Sequence, residues 1–65
     1  FDLAIENYQK AVQFNPNLWQ SYQNLAAIYF KQGNLSLTKE SLQKVLQVNP
    51  ENKQAKQNLL LLQSF

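Results

Sequence analysis

Gln20, Gln23, Asn24, Ala27 and Lys31 follow one another at i, i+3, i+4 spacing, which gathers them on one face of a helix. Four residues of related type stand 34 positions further on: Gln54, Gln57, Asn58 and Leu61. A carboxamide both donates and accepts, so Asn24 and Asn58 together can form a ladder that pairs with the backbone of an extended chain. Amides dominate the polar surface, with eight Asn and ten Gln among 65 residues. The chemistry on offer is therefore neutral hydrogen bonding.

Catalysis has little to work with. Histidine and cysteine are absent, which removes the commonest general base and the best nucleophile. The four acids, Asp2, Glu6, Glu40 and Glu51, are spread over separate turns, and one glycine rules out a Gly-rich phosphate loop. No metal-ligand spacing exists, so neither a metal nor another cofactor is expected. Without cysteine there are no disulfides, and the compartment is left open. The net charge of +2 comes from six lysines and no arginine, a weak excess that serves solubility better than nucleic-acid binding. The longest apolar run is Leu25–Phe30, far shorter than the ~20 residues that cross a bilayer. The chain starts at Phe1 and contains no methionine, which reads as a fragment or a processed product.

The elements that position the amide face follow from apolar spacing and breakers. Residues 1–14 read as a helix, with Phe1, Ala4, Ile5, Tyr8, Ala11 and Val12 on one side. Glu6 and Lys10 pair at i,i+4 on the other, and Pro16 stops the helix by driving Asn15 out of the helical region. Asn17 is the expected cap of a second helix over 18–32, with Gln20 closing a capping box. Its apolar set, from Leu18 and Trp19 to Tyr29 and Phe30, is too broad for one stripe and implies neighbours on two sides. Tyr8, Tyr22, Tyr29 and Phe30 are assigned to the core, and Trp19 is expected to pack near Phe14, with an exposed binding anchor as the alternative. Ala26 and Ala27 allow close helix approach, and Gly33 fits a left-handed stop. Asn34 then caps a third helix over 35–48, in which Glu40 and Lys44 repeat the Glu6–Lys10 pair. Asn49-Pro50 ends it, and a fourth helix runs from about Asn52 to Ser64.

Sliding the chain on itself by 34 residues pairs 1–31 with 35–65, and eleven of the 31 pairs are identical. Asn15-Pro16 returns as Asn49-Pro50 and Asn24-Leu25 as Asn58-Leu59. A fixed period of this length means stacked repeats. A 34-residue helix-turn-helix period, with Leu25, Tyr29 and Pro50 in a unit running Trp19–Asn52, resembles the tetratricopeptide repeat. Tyr22 stands for the usual Trp and Ala26 for the usual Gly, while Ala4, Tyr8, Ala11 and Pro16 match the second half of a preceding unit. The expected fold is an all-α solenoid of antiparallel helix-turn-helix repeats with four helices in one domain. Residues 1–16 would be the second helix of a partial repeat, 17–50 a complete repeat and 51–65 a terminal cap.

The resemblance implies a non-enzymatic scaffold whose first helices line a concave groove for a protein or peptide partner. The groove residues it implies are Gln20, Gln23, Asn24, Ala27, Lys31, Gln54, Gln57 and Asn58, with Leu61 next in the series. With only Lys31 charged among them, they do not match the basic clamp that holds carboxylate tails in some members of the family. A second expectation is self-association. Ala4, Tyr8 and Ala11 lack the helix they would pack against, and Leu60, Leu61, Leu62 and Phe65 exceed what one neighbour can bury. These open faces could join copies into a homo-oligomer, with or without exchange of helices. Helical-repeat binding of RNA is a third class, and the 34-residue period and lack of arginine count against it.

Overall fold

A computed structural model describes residues 2–63 of the chain. Those residues form four helices and no strand: α1 (Asp2–Phe14), α2 (Trp19–Lys31), α3 (Leu35–Val48) and α4 (Lys53–Leu62). Each helix packs on the next, α1 on α2, α2 on α3 and α3 on α4, which is the all-α repeat architecture expected from the period. Element bounds lie within one or two residues of the sequence reading where they are described. Phe1, Ser64 and Phe65 lie outside the described residues.

The core sits where three helices meet. Ala26 of α2, Leu42 and Val45 of α3, and Ala55 and Leu62 of α4 form one buried cluster. Small residues at 26 and 55 bring the three axes together, and Leu42, Val45 and Leu62 fill the space between them. Trp19, Tyr22, Leu35, Leu46 and Leu59 close over the cluster from its edges. On its other side α2 turns toward α1, where Gln9 donates a hydrogen bond to the Tyr29 hydroxyl at 3.2 Å. The breadth of the apolar set in α2 is thus explained by neighbours on two sides.

Turn chemistry fixes the repeat. α2 ends in a Schellman motif: Gly33 has φ 78°, its N–H reaches the Phe30 carbonyl, and the Asn34 N–H reaches the Tyr29 carbonyl. Asn34 then caps α3 by accepting from the Leu37 N–H at 3.1 Å, as expected. The two Asn-Pro turns share a backbone bond, Leu18 N–H to the Asn15 carbonyl and Asn52 N–H to the Asn49 carbonyl. They differ at the cap itself. Asn52 accepts from the Ala55 N–H, whereas its counterpart Leu18 has no side chain able to accept. The capping box predicted at Asn17 and Gln20 does not form. Instead the Asn17 N–H is taken by Asn15 Oδ1, which tightens the turn and moves the cap one residue along.

Three further expectations need correction. Phe14 is 91% exposed and offers Trp19 nothing to pack on; Trp19 covers the edge of the core cluster instead. Phe30 is 54% exposed, so it belongs to the surface, while Tyr29 beside it is buried. The Glu6–Lys10 pair forms at 3.3 Å, but Glu40 and Lys44 do not repeat it. Lys44 Nζ lies 5.6 Å over the Tyr22 ring, a cation–π contact across the α2–α3 interface.

Candidate functional site

A groove with a volume of about 870 Å³ opens on the surface, within the range of sites that hold a ligand. Its walls are α2 and α4, and α3 supplies part of the floor through Thr38 and Leu42. Thr38 is buried and its hydroxyl donates to the Asn34 carbonyl at 2.7 Å, so it presents a satisfied, neutral surface. Helix rise gives the α2 wall, from Trp19 to Lys31, a length of about 18 Å.

Of the residues read from the sequence, Gln20, Gln23, Asn24, Ala27 and Lys31 all line this groove from α2. Gln54 and Asn58 line it from α4 together with Leu61, a stripe at i, i+4 and i+7. Gln57 does not. It is exposed outside the groove, because the facing stripe of α4 passes through residues 54, 58 and 61.

The amides are not equivalent. Asn52 uses its oxygen to cap α4, and its Nδ2 donates to Gln23 Oε1 at 3.5 Å. Gln23 Nε2 in turn donates to Gln54 Oε1 at 2.8 Å. This relay ties the second turn of α2 to the first turn of α4. Gln23 and Gln54 therefore brace the groove, whereas Gln20, Asn24 and Asn58 make no side-chain hydrogen bond among the described residues.

Sequence reasoning reached the apolar side of the site only in part: Ala27 and Leu61 as groove positions, and Trp19 as a binding anchor only as the less favoured alternative. Trp19, Ala26, Phe30, Leu42 and Leu62 line the groove alongside the amides. Phe30 was legible in principle: it stands three residues after Ala27 and seven after Gln23, on the same face. Its apolar character placed it in the core instead. Leu61, expected both in the groove series and in the self-association set, is 65% exposed on the α4 wall.

The remaining self-association residues do not share one environment. Ala4, Tyr8 and Ala11 are half-buried, and α1 contributes no buried residue at all. Leu60 is exposed. Leu62 is only 4% exposed, packed with Ala26, Leu42 and Val45, so it belongs to the internal core and not to an open face. Phe65 lies outside the described residues.

Among the described residues no cluster of three or more potential metal ligands occurs, and no helix is long and apolar enough to cross a membrane. No curated protein matches the chain. Two family models do: one described as TPR repeat over residues 1–33, and one described as tetratricopeptide repeat over residues 19–52. With a 34-residue period in the sequence, stacked helices in the fold and each match spanning half of the 65 residues, the chain belongs to the tetratricopeptide repeat family.

Proposed function

We propose that the chain is a non-enzymatic interaction module that takes a segment of a partner protein in the groove between α2 and α4. Tetratricopeptide repeats generally mediate protein–protein interaction and are generally non-enzymatic. The observation that carries the specific reading is the groove itself, where apolar residues and unbonded amides share one surface. Bulky side chains of the partner fit against Ala27, Phe30 and Leu61. Asn24 and Asn58 meet its backbone, each able to give and accept a hydrogen bond.

The test uses peptides selected on the chain from a random twelve-residue display library. Replacing Asn24 and Asn58 together with Ala is expected to weaken their binding about 30-fold, by roughly 1 kcal/mol per lost pair of hydrogen bonds. Helicity, read by circular dichroism, stays the same. Unchanged affinity in the double variant rejects the ladder.

A second reading, self-association, is favoured by the apolar exposure of Leu3 and Phe14 on α1 and of Leu61 on α4. It ranks below the first on the fit between ends. If α4 paired with α1 of another copy as α2 pairs with α3, Lys56 and Gln63 would occupy the places that Tyr22 and Tyr29 hold in α2. Light scattering across a hundredfold range of concentration separates the readings. A constant monomer mass excludes the second.

A further inference from the structure

The charges are unevenly distributed around the groove. The helices that wall it carry Lys31, Lys53 and Lys56 and no acidic residue. All four acids lie on α1, on α3 and in the turn between α3 and α4. Lys31 alone among the charged residues lines the groove, and among the described residues it makes no ion pair. It stands at the end of α2, one residue after Phe30, whose ring is exposed, and four after Ala27.

From this arrangement we infer that the groove selects a partner segment that is apolar and acidic together: bulky side chains against Phe30 and Leu61, with an Asp or Glu beside them facing Lys31. The inference rests on the groove reading above and adds the chemistry of the occupant. Complementarity of charge supplies the direction. A basic segment would bring like charge to a wall that has no acid to offset it, and a neutral one would leave Lys31 unanswered. The acid envisaged is a side chain within the segment. A tail carboxylate would need several cationic groups converging on it, and the groove has one.

The experiment is a selection from the same random display library on three forms of the chain: wild type, Lys31→Glu and Ala27→Trp. The wild type is expected to enrich Leu, Phe or Trp together with Asp or Glu. Lys31→Glu is expected to keep the apolar residues and exchange the acid for Lys or Arg. The best wild-type peptide and its Glu→Gln counterpart are then titrated by Trp19 fluorescence. The acid is expected to bind about two- to fivefold more tightly at low salt, the range of a solvent-exposed ion pair. The advantage should shrink at 0.5 M salt, where the screening length is roughly 4–5 Å. Apolar peptides without an acidic excess, or an unchanged preference in Lys31→Glu, overturn the inference and leave the groove reading standing. Ala27→Trp fills the groove at an exposed position, so equal recovery of the same peptides on that variant overturns the groove reading itself. Circular dichroism of each variant confirms that the helices are intact.

Discussion

α1 and α3 are the same element one period apart, yet α3 buries Thr38, Ser41, Leu42 and Val45 and α1 buries nothing. Their patterns match position for position: Ala4 with Thr38, Tyr8 with Leu42, Ala11 with Val45. The difference is the company each keeps. α3 lies between α2 and α4, whereas α1 packs chiefly on α2. In a repeat fold each unit's stability is set largely by its interfaces, so identical spacing gives unequal burial. An apolar stripe states what a helix can bury; its neighbours decide what it does bury.

The sharpest way to break this comparison is to truncate matched positions. Leu42→Ala is expected to cost about 2–5 kcal/mol, because the site is enclosed by three helices and cannot collapse freely. Tyr8→Ala at the equivalent place should cost about 1 kcal/mol, in keeping with a half-buried ring. Urea denaturation followed by circular dichroism measures both. Equal losses would mean that α1 is as deeply packed in solution as α3.

Gly33→Ala probes the link that brings α3 under α2. A Cβ there meets nothing within 4 Å, so the penalty comes from the backbone at φ 78° alone. It should be about 1–2 kcal/mol, with each kcal/mol lowering Tm by roughly 4–8 °C in a domain of this size. A neutral result would show that the Schellman turn is not needed to hold the α2–α3 pair.

Asn52→Ala removes a cap that the first Asn-Pro turn never had. The expected loss is about 1 kcal/mol, with faster hydrogen exchange at the start of α4. If exchange there is unchanged, the backbone turn alone fixes α4, as it does α2. Smaller again is Glu6→Gln, worth about 0.2–0.5 kcal/mol at low salt and less at high salt, because the pair with Lys10 is exposed. Glu40→Gln should cost less still, since Lys44 already lies on Tyr22. A larger effect at Glu40 would place Lys44 back on its own helix.

The matched helices also explain what was legible in the sequence. Existence, order and bounds of the helices followed from apolar spacing, from Asn34 and Gly33, and from the two prolines, all of which act within a few residues. The capping box at Asn17 was misplaced because Asn15 Oδ1 takes the Asn17 N–H that Gln20 would have accepted, and both arrangements use the same residue types. Lys44 and Phe30 went astray for a different reason. Their partners, or lack of them, lie on other helices, and a period read along one chain carries no information about which ring a lysine will reach. Five groove residues on α2 were readable because one helix face is a local property. The apolar half, and the exclusion of Gln57, depend on how α4 is set against α2. The bond between Gln23 and Gln54 that braces this setting links residues 31 positions apart.

That brace has a direction. An amide in isolation can be turned end for end at little cost, but the relay begins on the Ala55 N–H, which can only donate. Asn52 must therefore offer it oxygen, which leaves an amino group for Gln23. Gln23 must answer with oxygen and pass an amino group to Gln54. The polarity of a single backbone bond in α4 is so carried through three side chains to the groove, where Gln54 is left with hydrogens to give. At that end the groove presents donors, and under the proposed function they would be matched to carbonyl oxygens of the partner.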